Sequence, residues 1–326
     1  MGRGYRPGRR WGQWRLALSA VLLLLPSRVL SQQKPSGREF KISTDVELVL
    51  LDVSVKQAKG GYASGLTKDN FQVYENGAPQ KITEFANADI PVAVGLVFDD
   101  SGSMQSKRYE VINAGLVFVG ASNPQDQIFV VNFNDQVRRG LPEGVPFTGD
   151  IQLLRSALSR DIPGGQTALY DAIAFSLRHL DSGRRDKKTL VVVSDGGDNV
   201  STHSFKEVMQ LVQESRATIY TVGIFTPDDP DRNPRVLEHI ARVSGGESFF
   251  PNGLGEVVPV CRQIAKDIRN RYTIGYIPVH SGNKALRKIH VVATAPDRGK
   301  LVVRTRTSYW LPARGMNAAD RSEPVR

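Results

Sequence analysis

The segment VFDDSGSM, residues 97–104, places oxygen-bearing side chains directly after an apolar run. Asp99, Ser101 and Ser103 alternate along it, so one carboxylate and two hydroxyls share a tight loop, and Gly102 permits a turn that a larger residue would resist. Hard oxygen ligands of this kind suit Mg²⁺, which takes a near-octahedral oxygen shell and retains some water. The segment therefore predicts part of a divalent-cation site.

Two later segments supply further oxygen ligands. GGQTALYDA (164–172) offers Thr167 just before a predicted helix, and VVVSDGGDN (191–199) offers Asp195 at the end of a predicted strand. Taken singly, Thr167 could be a helix N-cap, and Asp195 with Asp198 could be turn residues. Because all three segments follow one another on successive strand–helix connections, their combination favours a shared metal site.

Short apolar runs alternate with helical patterns through the middle of the chain. The runs are β-branched and apolar along their whole length, as strands buried on both faces must be. These strand-like runs lie at 92–100, 127–135, 188–196 and 217–226. Apolar residues recur at helical spacing in 107–122, 167–183, 204–215 and about 254–270. This alternation predicts an α/β fold with a doubly wound, mostly parallel sheet, in which the three oxygen-rich segments meet at one edge.

Alternating strand patterns flank this region on both sides. An Asn76-Gly77 hairpin signal and a Gly60-Gly61 pair lie before it, and turns are expected at 280–283 and 296–299 after it. We expect the two flanks to pack together as one smaller β-sandwich-like unit, with two independent small sheets as the alternative. The expected organisation is a signal peptide at 1–31, a linker at 32–38, an N-terminal β segment at 39–90, an α/β domain at 91–270, a C-terminal β segment at 271–312 and a flexible tail at 313–326.

The N-terminal 31 residues resemble a secretory signal, because arginines precede a short apolar stretch and a small-residue cleavage motif. A retained membrane anchor is the alternative. Removing this segment, which holds six arginines and no acid, lowers the formal net charge from +10 to +4. The remaining chain is mildly basic and has no cluster of basic residues interspersed with aromatic residues. It therefore gives no indication of nucleic-acid binding.

Other chemistries find little support in the sequence. Cys261 is the single cysteine, which excludes an internal disulfide, and we expect it to be a small buried residue. The segment PDDPDRNPR (227–235) fails as a calcium loop, since Pro234 and Ile240 stand where glycine and glutamate are required, and we expect a solvated loop. The histidines lack metal-ligand spacing, and no Ser-His-Asp arrangement or phosphate-binding loop is evident.

The segments VFDDSGSM, GGQTALYDAI and VVVSDGGDN resemble the three site segments of the von Willebrand factor type A domain. In that family, a metal-ion-dependent adhesion site combines a DxSxS sequence, a threonine and an aspartate, and the pattern is complete here. The resemblance covers roughly residues 91–270, and the flanks are more loosely similar to secreted bacterial proteins described as VWFA-related. It implies a metal-ligand set of Asp99, Ser101, Ser103, Thr167 and Asp195.

The resemblance also implies a function, namely that of an extracytoplasmic protein-binding module for adhesion or assembly. The expected ion is Mg²⁺, with Mn²⁺ or Ca²⁺ as alternatives, and the expected partner is a protein that presents an Asp or Glu carboxylate. A chaperone-like or structural subunit of a cell-envelope complex is the alternative. A Mg²⁺-dependent phosphohydrolase is disfavoured, because Ser101 occupies the position where such enzymes need a second acid, so we expect no enzymatic activity.

Overall fold

The computed structural model describes residues 48–160, 162–225, 232–279 and 286–310. The expected signal peptide, linker and flexible tail, the turn at 280–283, and most of the 227–235 loop lie outside the described residues. The described strands are β1 (Val49–Gln57), β2 (Phe71–Glu75), β3 (Ala78–Gln80), β4 (Ile82–Ala86), β5 (Val92–Asp99), β6 (Gln127–Phe133), β7 (Val137–Arg139), β8 (Lys187–Ser194), β9 (Thr218–Gly223), β10 (Ser248–Phe249), β11 (Tyr272–Tyr276), β12 (Leu286–Ala293), β13 (Leu301–Arg304) and β14 (Ser308–Trp310). The described α-helices are α1 (Arg108–Ala121), α2 (Ile151–Leu158), α3 (Leu169–Asp181), α4 (Phe205–Glu214), α5 (Pro234–Ser244) and α6 (Val257–Arg269).

A six-stranded sheet in the order β10-β9-β8-β5-β6-β7 forms the centre of the α/β domain. All pairs are parallel except β6 with the short edge strand β7. Every residue of β5 is buried, as its uninterrupted apolar sequence requires when helices cover both faces of a sheet. The parallel arrangement brings the carboxyl ends of β5, β6, β8 and β9 to one edge.

Four helices appear where the sequence predicts them, and two further helices were not predicted. In α4, Ser204 and Glu207 form a capping box. Helix α5 starts at Pro234, within the expected loop, because Asn233 Oδ1 accepts the Val236 N–H at 3.4 Å and caps the first turn. Helix α2 begins after Asp150, whose carboxylate accepts two backbone N–H groups. The loop prediction for the end of the 227–235 segment is therefore wrong from Pro234 onward.

Strands from both flanks combine in two four-stranded antiparallel sheets, β13-β1-β11-β4 and β14-β12-β2-β3. Each sheet contains strands from the N-terminal and the C-terminal side of the α/β domain, and their inner faces share one hydrophobic core. We call this part the β unit. Asn76 and Gly77 turn the β2–β3 hairpin with φ of 50° and 85°, values that Asn and Gly accept more readily than other residues. The predicted fold class, an α/β domain with a smaller flanking β-sandwich-like unit, is confirmed.

The last described residues of the C-terminal segment divide between the two sheets of the β unit. Residues 301–310 form two strands in different sheets, and the turn at 296–299 joins strands that do not pair with each other. The intervening residues bond to the α/β domain instead, since the Thr307 N–H donates to the Val243 carbonyl at 3.1 Å. The Arg306 guanidinium likewise donates to the carbonyl of Gln213 on α4 at 2.6 Å.

A buried polar network joins the β unit to the end of α6. Asp267 accepts hydrogen bonds from Ser54 of β1 at 2.8 Å and from the Tyr220 hydroxyl at 2.5 Å. Arg271 lies 3.4 Å from the same carboxylate and donates to the Gly245 carbonyl at 2.7 Å. Cys261, on the same helix, is buried as expected, and burial raises the pKa of its thiol to about 12. None of the described helices has the length and hydrophobicity needed to span a bilayer.

Candidate metal centre

The ends of two neighbouring strands bring the predicted aspartates together. Asp99 is the last residue of β5, and Asp195 directly follows β8. The two strands pair in parallel with Phe98 opposite Val193, so both carboxylates leave the sheet at the same edge. Asp99 is 2% exposed and Asp195 is 1% exposed, and both are therefore withdrawn from bulk water.

The two serines bridge these carboxylates. The Ser101 N–H donates to Asp99 Oδ1 at 2.9 Å, which folds the loop back over the strand end. Ser101 Oγ lies 3.2 Å from Ser103 Oγ, and Ser103 Oγ donates to Asp195 Oδ2 in a short hydrogen bond. Ser101 is buried whereas Ser103 is exposed, so the cluster opens to solvent at Ser103. The structure thus joins four of the five predicted residues in one chain of contacts.

Thr167 reaches the same edge through its loop. The Gly164 N–H donates to the Asp100 carbonyl at 2.8 Å, and the Gly102 N–H donates to the Gly165 carbonyl at 3.2 Å. On its other side, the Thr167 carbonyl accepts the Asn199 N–H at 3.0 Å. These backbone bonds fasten the Thr167 loop between the two aspartate loops. The N-cap position of α3 belongs to Ala168, so Thr167 does not serve as the cap.

Three supporting residues were not predicted as part of the site. Ser194 Oγ donates to Asp99 Oδ2 at 2.6 Å, so both oxygens of that carboxylate have a protein donor. Asn199 Oδ1 accepts the Thr167 N–H at 2.9 Å. Asp198 Oδ1 accepts the Tyr170 N–H at 2.9 Å in the first turn of α3. All three lie in or beside VVVSDGGDN, and the hydroxyl next to Asp195 was the signal available in the sequence.

Asp100 has a different role from Asp99. Its side chain forms an ion pair with Arg108 at the start of α1. Its carbonyl accepts the Gly164 N–H noted above. Asp100 therefore holds the surrounding loops in place.

Two buried carboxylates in close proximity create a local excess of negative charge. Burial, and then the neighbouring Asp195, raise the pKa of Asp99 to about 7, although hydrogen bonds from Ser101 and Ser194 oppose the shift. A divalent cation would relieve this repulsion, and hydroxyl and carboxylate oxygens are the ligands that Mg²⁺ or Mn²⁺ accepts. No group of three or more His, Cys, Asp or Glu side chains suited to a metal occurs in the described part of the chain. A centre here would accordingly depend on the hydroxyls.

Comparison with known proteins identifies the class of the α/β domain. Residues 94–254 match the family model described as the von Willebrand factor type A domain. The chain therefore contains a von Willebrand factor type A domain, and the resemblance of the three motifs to that family is confirmed. A search of the curated proteins found no match.

Solved structures of low sequence identity share the fold. A von Willebrand factor type A protein from Catenulispora acidiphila is 15% identical with a TM-score of 0.50, over 82% of this chain and 75% of that chain. The vWF domain of the type V pili tip protein Mfa5 from Porphyromonas gingivalis is 15% identical, with a TM-score of 0.45, over 60% and 99% of the two chains. Mussel byssus proximal thread matrix protein 1, with a zinc-occupied MIDAS motif, is 20% identical with a TM-score of 0.44, over 56% and 48%. The first of these supports the fold alone.

Proposed function

We propose that this protein is an extracytoplasmic protein-binding module that uses a divalent cation to bind a carboxylate of its partner. The observation that carries the proposal is the contact chain from Asp99 through Ser101 and Ser103 to Asp195, at the carboxyl edge of a parallel sheet. Ligands of open α/β sheets bind at this edge.

The donor set suits binding better than catalysis. Ser101, Ser103 and Thr167 would hold the cation directly, while the two aspartates, already engaged by hydrogen bonds, would balance its charge. A cation with few charged ligands attracts an anionic oxygen from outside, and the exposed Ser103 marks the side from which a partner's Asp or Glu can approach. We expect Mg²⁺, with Mn²⁺ or Ca²⁺ as alternatives.

A phosphohydrolase would need a general acid two residues after Asp99, and Ser101 cannot fill that role near neutral pH. Asp100 is occupied by Arg108. We therefore propose that the protein is not an enzyme. Turnover of a generic phosphoester in the presence of Mg²⁺, lost in Asp99→Asn, would contradict this.

The proposed location is outside the cytoplasm, on the basis of the N-terminal sequence. Sequencing the N-terminus of the exported protein would test it, with a first residue at or near Gln32 as the expected outcome. An intact first segment in the membrane fraction would instead support the retained anchor.

Calorimetric titration of Mg²⁺ and Mn²⁺ into the metal-stripped chain lacking residues 1–31 tests the centre. We expect saturable binding, weakened by about 100-fold or more in Ser101→Ala/Ser103→Ala, because two direct ligands are lost together; removal of even an outer-shell partner typically costs about 10–100-fold. Far-UV circular dichroism should be unchanged, since the sheet itself is not altered.

The matched control is Ser122→Ala/Ser182→Ala, which removes two hydroxyls from the carboxyl ends of α1 and α3. Both helices begin beside the centre, and these serines lie at their far ends, so metal affinity should not change. Equal affinity in the two double variants, or no binding to the wild-type chain, would refute the metal centre. Crosslinking of partners in the cell envelope then separates adhesion from an assembly role.

A further inference from the structure

A second concave region lies where the carboxyl end of α5 meets the β unit. A cavity of about 340 Å³ adjoins a groove of about 630 Å³, and the two share Glu247 and Arg304 as lining residues. Helix α5 starts beside the metal centre, because the Asn233 N–H donates to the Asp195 carbonyl at 3.0 Å. Its 11 residues carry the chain roughly 16 Å away before the cavity begins. This region, which we call the junction cleft, is therefore separate from the metal centre.

The lining of the junction cleft is strongly basic. Glu247 is its single carboxylate, and the six cationic side chains that line it are Lys56, Arg242, Arg262, Lys266, Arg304 and Arg306. The resulting formal charge of +5 exceeds the +4 of the entire chain without its first 31 residues. The lining is thus far more positive than the chain as a whole, which favours an anionic ligand.

Most of these cations lack an acidic partner. Glu247 pairs with Lys56 at 2.5 Å and with Arg304 at 2.6 Å. The other four cations of the lining form no ion pair with a carboxylate in the described part of the chain. Three of these four, Arg242, Arg262 and Lys266, are exposed, so their charges are accessible to an anionic ligand.

Arg306 and Thr305 also line the cleft. Burial lowers the pKa of Arg306 to about 10, and within the described residues its guanidinium donates to the carbonyls of Ser308 and Gln213 alone. Thr305 Oγ1 is buried and has no hydrogen-bond partner among the described residues. A buried cation without a counter-ion and a hydroxyl without a partner are both costly unless a ligand satisfies them.

Two of the strands that line the cleft are edge strands. In the described sheets, β10 pairs only with β9 and β13 pairs only with β1, so each has an edge without a neighbouring strand. Residues of both strands line the cavity. Unpaired strand edges offer backbone hydrogen bonds to an extended peptide. A polysaccharide or a polyphosphate has no peptide backbone and could not form this ladder of hydrogen bonds.

We propose that the junction cleft binds an extended, acidic peptide segment of a partner protein, by strand addition at β10 or β13 and by pairing of its carboxylates with the arginines and lysines of the lining. This site does not depend on the metal centre. The protein would then hold its partners at two separate places.

Fluorescence anisotropy with labelled eight-residue peptides tests this proposal on the chain lacking residues 1–31. The probe alternates glutamate and threonine. One control peptide replaces glutamate by glutamine to remove the charge, and another replaces threonine by proline to remove backbone N–H groups. We expect saturable binding of the probe in the presence of EDTA, and at least tenfold weaker binding of both control peptides.

Arg262→Glu/Lys266→Glu reverses two exposed cleft charges one turn apart on α6 and should weaken probe binding at least tenfold. The matched control, Arg155→Glu/Arg178→Glu, reverses two exposed charges on α2 and α3 and should have little effect. Equal binding in both variants, or equal binding of the proline peptide, would overturn the proposal. So would binding of heparin or polyphosphate without binding of the probe, and so would binding abolished by EDTA.

Discussion

At the scale of single residues, the neighbours of a buried carboxylate decide the direction of its pKa shift. Asp267 has Arg271, Tyr220 and Ser54 around it. Burial alone would raise the pKa of Asp267, but Arg271 and the hydrogen bonds of its neighbours outweigh burial and hold the pKa below its usual value. Asp99 faces another carboxylate instead, and its pKa rises. The charge of Asp267 is balanced by groups of the protein itself. The pair of Asp99 and Asp195 instead favours binding of a cation from solution.

Asp267→Asn should therefore destabilise the fold. The change leaves Arg271 buried without a full counter-charge, and breaking such a pair typically costs about 3–5 kcal/mol. Urea unfolding followed by circular dichroism would measure the loss at pH 7. Asp181→Asn is the matched control, because Asp181 is 74% exposed and pairs with Lys188 at the surface, and it should change stability by less than about 1 kcal/mol.

The effect of Asp267→Asn on stability should also depend on pH. Since the folded-state pKa of Asp267 is lower than its unfolded value, the ionised carboxylate contributes stability above about pH 4, and that contribution is lost as the pH falls through the folded-state pKa. The stability difference between wild type and Asp267→Asn should shrink on acidification below pH 4. A difference that is independent of pH would argue against an ionised Asp267.

The residues of the candidate centre differ in how far the sequence could predict them. Asp99, Ser101 and Ser103 are local in sequence, and their spacing alone indicates a shared loop. Ser194 and Asn199 act through contacts with residues 95 and 32 positions away, so no local pattern marks them. The pairing of Ser54 with Asp267 spans 213 positions and depends entirely on the packing of the β unit.

At the scale of elements, the amino end of α3 is capped by a residue of a neighbouring loop. Ala168 at its N-cap offers no side-chain acceptor, and Asp198 supplies one to the Tyr170 N–H and also accepts the Ser201 hydroxyl at 2.6 Å. The loop that follows β8 thereby fixes the helix that begins just after Thr167. Positioning of that threonine should therefore be sensitive to Asp198.

Asp198→Ala should cost about 1 kcal/mol of stability, as loss of a helix cap typically does, and should weaken Mg²⁺ binding by about tenfold because the Thr167 loop is loosened. Urea unfolding and calorimetric titration measure the two effects. Ser204→Ala removes the cap of α4 and should cost similar stability without changing metal affinity. A matching loss of affinity in Ser204→Ala would show that the effect is not specific to the α3 loop.

Helix α5 was missed although its interior carries a helical pattern, with Val236, Leu237 and Ile240 buried. Asn233 followed by Pro234 is a typical helix beginning, yet the acidic, proline-rich residues before it favoured a loop. Residues 301–310 alternate as one strand would, and nothing local indicates that the Thr307 N–H donates to Val243 of the α/β domain while its carbonyl accepts the Ile289 N–H of β12. Tertiary contacts decided this second outcome.

At the scale of the whole molecule, the β unit and the α/β domain are bound through buried and specific contacts. A Cβ on Gly245 would overlap the backbone of Thr305 and Arg306, so this glycine permits the close approach. Asp267 and Arg271 add a buried ionic link. Contacts of this kind between two parts of a chain favour cooperative unfolding.

Trp310 provides a direct test of that cooperativity. It lies on β14 in the β unit, and its indole N–H donates to Gln213 Oε1 on α4 at 2.9 Å. In the chain lacking residues 1–31 it is the only tryptophan, because Trp11 and Trp14 are removed. We expect its fluorescence transition in urea to coincide with the transition in far-UV circular dichroism, which is dominated by the larger α/β domain.

Gln213→Ala should shift both transitions together by about 1 kcal/mol, because it removes hydrogen bonds to Trp310 and Ser308 that cross the junction. Gln210→Ala, on the same helix but bonded only to Glu214, should leave both nearly unchanged. If Gln213→Ala moved the fluorescence transition to lower urea and left the circular dichroism transition in place, the β unit would open independently. The junction cleft would then be lost before global unfolding, and a peptide bound there would move the fluorescence transition to higher urea.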